Sequence, residues 1–421
     1  REGAPRAWPL PGRGLLGLGL AATLPAGARM RPAAAKPSTD TWMHAGNAAR
    51  TGVFPGPGLD PTKDIIELWR IDGRQSGYFV EPRGVCDGVA YYLPEPNGLS
   101  PEVRPLVAVD ARTGSELWRQ IPPITEPTTY FAGQPAIADG LLIMPTWGGL
   151  LIGLDARSGE SRWIFDVQGQ LADSRPALVD GVAYVSDNAS VNAIAVGDTA
   201  EWLWKAPLGD GTNTVVSPIV SVDGDYVVVS SVSLDPKAEP EGKTTVIHVL
   251  SAQDGSELYR FSFRPYGQSY QLAISNGNLY SQDHLDEDNG RAFYFSMTID
   301  GSERWTSRKQ PTIEAYPAVR GDFAYATTGE SVFAFDTATG EMVWYEPQPQ
   351  PVYPVTVLID DVIYAGAAPP TPMIYAVDPS DGSPLASIPL PFDGGARVVG
   401  ATGGILIVRS GVNLVALANR S

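Results

Sequence analysis

The sequence is short of the residues that most often build catalytic and metal centres. It has one cysteine, Cys86, and three histidines, His44, His248 and His284, in 421 residues. A single cysteine allows no disulfide within the chain and no cysteine-based zinc cluster. The histidines are scattered, not spaced as ligands on one helix or hairpin. Cations are scarce too: 30 Lys and Arg against 47 Asp and Glu leave a formal charge of -17, which opposes binding to nucleic acid. No apolar run reaches the roughly twenty residues of a membrane-spanning helix. No Ser-His-Asp order, phosphate-cradling glycine loop or defined carboxylate pair stands out. What is plentiful is turn-forming residues, with 45 Gly and 38 Pro, beside a hydrophobic fraction of 43%. That combination describes a globular chain with many turns, not a disordered one.

The N-terminus has its own character. Arg6 and Arg13 precede an apolar run from Leu15 to Leu24, followed by Ala26-Gly27-Ala28. This order is that of a secretory signal peptide, so residues 1–28 are expected to be a leader and 29–59 a lead-in. The alternative is a flexible Ala/Pro-rich tail of a cytosolic protein. No cysteine follows the apolar run, so no lipid anchor is expected, and a periplasmic or secreted protein is implied. Residues 1–28 hold three Arg and one Glu, so their removal would take the net charge to -19.

The remainder is a repeat. An apolar strand is followed by Asp, small or polar residues, Gly, and Trp four positions after the Gly: Asp110/Gly114/Trp118, Asp155/Gly159/Trp163 and Asp336/Gly340/Trp344. Decayed copies place Gly255 with Tyr259, Gly301 with Trp305 and Gly382 with Ala386, while Ala200 holds the glycine position before Trp204. The Trp-equivalent positions 118, 163, 204, 259, 305, 344 and 386 are 39 to 55 residues apart. That period, filled with strands, signals propeller blades. A second phrase precedes each Trp, with a tight Asp-Gly or Asn-Gly turn between apolar strands, as at Asp139-Gly140, Asp180-Gly181 and Asn276-Gly277. Asp87-Gly88, Asp223-Gly224, Gly321-Asp322 and Asp360-Asp361 complete seven copies.

Three further strands, around Val398-Val399-Gly400, Ile405–Val408 and Leu414–Leu417, follow the seventh copy. The segment Ile65-Ile66-Glu67-Leu68-Trp69-Arg70 reads like the missing Trp-bearing strand. The prediction is therefore an all-β, eight-bladed propeller of four-stranded antiparallel blades over 60–421, its last blade completed by an N-terminal strand. A seven-bladed ring with an extra C-terminal hairpin is the competing topology.

These repeats, preceded by Trp42-Met43-His44-Ala45-Gly46-Asn47-Ala48-Ala49-Arg50-Thr51-Gly52, resemble the PQQ-like β-propeller repeat family over roughly residues 42–418. That family includes the B subunit of the outer-membrane β-barrel assembly machinery, a lipoprotein, and the quinoprotein alcohol dehydrogenases. The resemblance implies a structural role for Trp69, Trp118, Trp163, Trp204, Trp305 and Trp344, each docking one blade on the next. Its dehydrogenases use adjacent cysteines and a calcium ion at the quinone. With Cys86 alone the adjacent pair cannot exist, so neither PQQ nor another cofactor is expected. The acidic stretch Asp283–Gly290 fails the spacing of a calcium loop, and Asp235–Lys243 reads as an exposed loop. No metal site or catalytic residue is assigned.

The loops that lead into each blade's innermost strand supply a candidate binding rim: Tyr78, Glu81, Arg83, Tyr130, Phe131, Gln134, Asp173, Arg175, Tyr270, Glu314, Tyr316 and Tyr353. Tyrosines and arginines converging on one rim are the composition of a recognition surface, although aromatics there can equally cap the propeller core. The expectation is a monomeric, non-catalytic binding or scaffold propeller of the bacterial cell envelope, with another envelope protein as partner. The alternative is a diverged quinoprotein-type oxidoreductase or a sugar- or cofactor-binding propeller.

Overall fold

The computed structural model describes residues 41–73, 78–96, 104–121, 130–233, 244–263, 271–283, 293–307, 316–390 and 394–420. They form eight antiparallel sheets that follow one another along the chain as blades 1 to 8. Blade 1 runs from Tyr78 to Gln120, blade 2 from Ala136 to Asp166, blade 3 from Ala177 to Pro207 and blade 4 from Thr214 to Phe263. Blades 5, 6 and 7 span Ala273–Ser307, Ala318–Pro347 and Val352–Pro389. Blade 8 combines Ala396–Thr402, Ile405–Ser410 and Asn413–Asn419 with the N-terminal strand Ile65–Ile71, which pairs antiparallel with Asn413–Asn419. The ring is thus closed by a strand from the opposite end of the chain, and the seven-bladed alternative is excluded.

The repeated Asp has a local reason. In the turn after the third strand of blades 1, 2 and 6 its carboxylate accepts two backbone N–H groups, as Asp110 does from Arg112 and Thr113 at 3.0 and 2.8 Å and Asp336 from Ala338 and Thr339 at 2.9 and 2.8 Å. Backbone donors favour the ionised carboxylate and hold Asp110, Asp155 and Asp336 below the usual carboxylate range; for Asp155 the Arg162 guanidinium is the larger cause. The repeated Gly has a different reason. At Gly340 φ is +71°, and a Cβ would meet the Trp305 ring at 2.5 Å. A side chain there would be strained by the backbone and would also collide with the indole of the preceding blade.

Each indole donates its N–H to a carbonyl in the turn of the next blade and, except for Trp163, where Ala200 holds the glycine position, lies against that turn's glycine. Trp69 donates to Ala111 at 2.9 Å, Trp118 to Ala156 at 3.2 Å, Trp163 to Gly197 at 3.0 Å and Trp204 to Ala252 at 3.1 Å. Trp305 and Trp344 reach Thr337 at 2.8 Å and Pro379 at 3.2 Å. Two interfaces depart from the pattern. Tyr259 keeps the Trp register opposite Val249, but its ring is 40% exposed. Instead, Phe261 covers Gly301, 2.5 Å from where its Cβ would be. At Ala386 the Trp is missing, and blade 8 has no turn joining its Asn413–Asn419 and Ile65–Ile71 strands. There Asn419 accepts from the Asp60 N–H at 2.9 Å and donates to the Asp60 carbonyl at 2.8 Å.

The stretch from Thr41 to Phe54 does not lie outside the ring. It crosses the axis and touches every blade. Thr41–Trp42 pairs with the innermost strand of blade 2, and the Leu178 N–H of blade 3 reaches the Met43 sulfur at 3.4 Å. The carbonyls of Ala48, Ala49, Thr51 and Gly52 accept from Val222, Ile274, Val319 and Leu358, on the innermost strands of blades 4 to 7. Val53–Phe54 then runs parallel to Val352–Ile359 of blade 7. Trp42 donates to Val399 of blade 8 at 3.1 Å and lies against Gly84 of blade 1. Arg50, with no exposed surface and φ +59°, anchors this plug. Its guanidinium donates to the carbonyls of Val220, His44, Arg175 and Pro176 at 2.6 to 2.9 Å. Burial, and then the nearby Arg175 charge, push its pKa down to about 9, so it remains a cation at neutral pH.

Candidate functional site

A cavity of about 250 Å³ opens on the axis, above the plug and at the ends of the innermost strands that the interblade loops enter. Trp42, His44, Ala45, Gly52 and Phe54 from the plug contribute to its lining. The walls are uneven. Gln134, Gln271 and Tyr316 bring polar groups from the approaches to blades 2, 5 and 6, whereas Val355, Val357, Val398 and Val399 give blades 7 and 8 an apolar face. Arg397 and Arg409 of blade 8 and Glu81 of blade 1 add the charged groups of the lining. Arg409 pairs with Glu81, and the Arg397 guanidinium lies 4.3 Å from the centroid of the Tyr353 ring.

At the base, the Arg175 guanidinium approaches His44 Nε2 at 2.7 Å and Gln271 Oε1 approaches the same nitrogen at 2.6 Å. A guanidinium can only donate, so Nε2 accepts and His44 is the neutral tautomer protonated on Nδ1. Gln271 then presents its amide nitrogen, not its oxygen, to the ring. Desolvation, Arg175 and Arg50 all push the His44 pKa well below its usual value. Burial raises the Tyr316 phenol, opposed by the Gln271 backbone N–H and Arg175.

His248 is a second depressed imidazole, far from the axis in blade 4. It is sealed between strands with Ser231 Oγ at 2.8 Å and Glu257 Oε1 at 2.7 Å. Burial lowers its pKa, with Glu257 opposing. Ser231 and His248 are each 1% exposed and belong to the core of the blade, with Glu257 at its surface. Both histidines have folded pKa values below the unfolded value of 6.5. Below that pH the unfolded chain takes up protons that the fold refuses, so stability is complete above about pH 6.5 and falls as the pH is lowered. The turn aspartates add a second loss below about pH 4. Thermal midpoints measured between pH 7.5 and 5 should decline, and His44→Gln should flatten part of that decline. An unchanged slope in the variant would show that His44 takes no part.

The cavity gathers some of the residues expected on the rim and leaves others elsewhere. Glu81, Gln134 and Tyr316 line it, and Tyr353 supports Arg397. Arg175 lies beneath it, bound to His44 and lending its carbonyl to Arg50. Arg83 is the residue skipped where the register shifts between Pro82 and Gly84. Phe131 is buried core at 2% exposure, and Tyr130 stacks on Trp147 of blade 2 at 5.8 Å. Asp173 is an exposed turn residue with φ +54°. Tyr270 and Glu314 lie outside the described residues, as do the side chain of Tyr78 and most of the stretches 235–243 and 283–290. Sequence reasoning missed His44, Gln271, Arg397 and Arg409. Only His44 carried a signal, as a lone imidazole inside the phrase that precedes the repeats.

The donor set does not match a quinone–calcium centre. Among the described residues, Glu81 is the one carboxylate in the lining, and it is already paired with Arg409. Cys86 lies off the axis, between blades 1 and 2. Among the described residues, no three His, Cys, Asp or Glu side chains cluster closely enough to hold a metal ion, and no helix is long and apolar enough to cross a membrane.

Comparison with known proteins agrees with this architecture. The family described as outer membrane protein assembly factor BamB matches residues 104–237 and 242–421. Among solved structures, BamB from Moraxella catarrhalis is similar at 14% identity and a TM-score of 0.54, covering 84% of this chain and all (100%) of that one. Quinohemoprotein alcohol dehydrogenase from Comamonas testosteroni is similar at 14% identity and a TM-score of 0.60, covering 92% of this chain and 82% of that one. A europium-containing methanol dehydrogenase is similar at 13% identity and a TM-score of 0.59, covering 88% and 89%. At these identities the likeness extends to the fold alone. No curated protein matches the chain.

Proposed function

The chain belongs to the PQQ-like propeller family described as outer membrane protein assembly factor BamB, and from that premise we propose that it is a non-catalytic, monomeric scaffold of the bacterial cell envelope. Its axial funnel receives a polypeptide partner. One observation carries this reading: the plug from Thr41 to Phe54 stoppers the ring and leaves a funnel whose mouth presents Tyr353, Arg397, Tyr316 and Gln134. Aromatic and arginine side chains at a concave mouth are the residues that dominate protein recognition. The envelope location is supported by the family and by the leader-like residues 1–28. The alternative, a quinoprotein-type oxidoreductase, loses support from the spent carboxylate at Glu81 and the off-axis cysteine.

A photo-crosslinking amino acid placed at Tyr353 in the producing cell should yield discrete polypeptide adducts. The same residue at Asp180, in a tight turn that joins the first two strands of blade 3, should yield none. Equal yields from both positions would overturn the funnel as the binding face. In parallel, the thermal midpoint should not respond to quinone plus calcium, whereas a cofactor at a hundred times its dissociation constant would stabilise by about 2.7 kcal/mol.

A further inference from the structure

We propose that the funnel is a chain-end site, which takes the free carboxylate of a polypeptide whose last residue is apolar. The proposal rests on the funnel being the binding face and specifies what enters it. The first observation is charge. In a chain of net charge -17, the lining holds two arginines and one glutamate. Arg409 is neutralised by Glu81. Arg397 has no carboxylate partner among the described residues, and its guanidinium carbon sits over the Tyr353 ring. Stacking leaves the in-plane N–H groups of a guanidinium free, and those are the groups that hold a carboxylate by two parallel bonds.

The second observation is the wall beside Arg397. Val355, Val357, Val398 and Val399 form an apolar surface there. A ligand with an apolar body and an anionic end would match the wall and Arg397.

The third is shape. A volume of about 250 Å³ lies below the range of about 300–1,000 Å³ common for drug-sized ligands, so it suits one side chain with its carboxylate. The plug also makes the funnel a dead end. An acidic side chain in mid-chain would need two strands of polypeptide to pass through one mouth, whereas a C-terminus needs one. Capture of terminal carboxylates is an established mode of peptide recognition.

The test is fluorescence anisotropy on the full chain with a labelled hexapeptide ending in phenylalanine. The probe is compared with its C-terminal amide and with N-acetylphenylalanine as a competitor. The free-acid peptide should bind at least tenfold more tightly than the amide. Arg397→Gln should weaken the free acid by a similar factor and leave the amide unchanged, with the thermal midpoint held. Equal binding of acid and amide, or no binding of either at millimolar concentration, would overturn the carboxylate assignment. Competition by N-acetylphenylalanine at the peptide's own affinity would overturn the chain-end assignment in favour of a small acid. Crosslinks from Tyr353 that persist in Arg397→Gln, together with equal acid and amide binding, would leave the scaffold reading standing and remove this one.

Discussion

Removal of residues 60–72 should leave a chain that does not reach the native ring. The deleted stretch contains Ile65–Ile71, which pairs from Ile65 opposite Asn419 to Ile71 opposite Leu414. It also contains Trp69, whose indole covers Gly114 and donates to Ala111. Loss of a fully buried Trp costs about 3–5 kcal/mol, and the half-buried Trp69 somewhat less. Deletion of the strand in addition leaves Asn413–Asn419 as an open, apolar edge. Domains are stable by only about 5–15 kcal/mol in total, so the loss is comparable to the whole. Loss of the cooperative thermal transition and rapid proteolysis are the expected results. An unchanged melting temperature would mean that the ring closes without this strand. Trp69→Ala should fold but lose stability in urea titration, by less than the ~3–5 kcal/mol of a fully buried Trp.

Arg50→Met should destabilise the protein by about 4–6 kcal/mol, a size confined to a few mechanisms such as stranded buried polar groups. The guanidinium satisfies carbonyls from the plug itself, from blade 3 and from the start of blade 4. Each carbonyl left buried without a donor costs about 1–3 kcal/mol. Part is recovered, because methionine does not have to bury a charge, and the depressed pKa of Arg50 records that cost. Arg50→Lys should rescue little, since one ammonium cannot reach carbonyls held apart by a planar fork. Urea midpoints at constant slope would measure the effect. A loss below about 1 kcal/mol would show that the plug is held by its backbone bonds alone.

The blades were legible because each motif position has a local physical duty. Asp110 caps its turn, Gly114 adopts positive φ and Trp118 covers the next blade, so all three recur at fixed spacing. The closing strand was legible for the same reason, through Trp69. The plug was not. From Trp42 to Gly52 there is neither period 2 nor period 3.6, and the partners of Arg50 lie as far as 170 positions away. Such a segment is specified by the assembled ring and not by its neighbours in sequence. The cavity was half legible for a related reason. The rim expectation followed the loops into each blade and so found Glu81, Gln134 and Tyr316. It had no means of placing Arg397 and Arg409, which alternate with buried apolar residues in the split blade. Tyr259 shows the limit of register: it occupies the Trp position, yet Phe261 does the covering.

The split blade also sets an order in time. Asp60 and Asn419 meet across 359 positions, so Ile65–Ile71 cannot pair until Asn413–Asn419 has been made. The plug must be in place before the blades finish closing around it. Contacts of this range make folding slow, and a nascent chain would expose unfinished blade edges throughout its synthesis, where they are prone to aggregate. The same late closure makes opening slow if the Ile65–Ile71 pairing forms after the rate-limiting step. The finished protein would then outlast its equilibrium stability, by persisting kinetically.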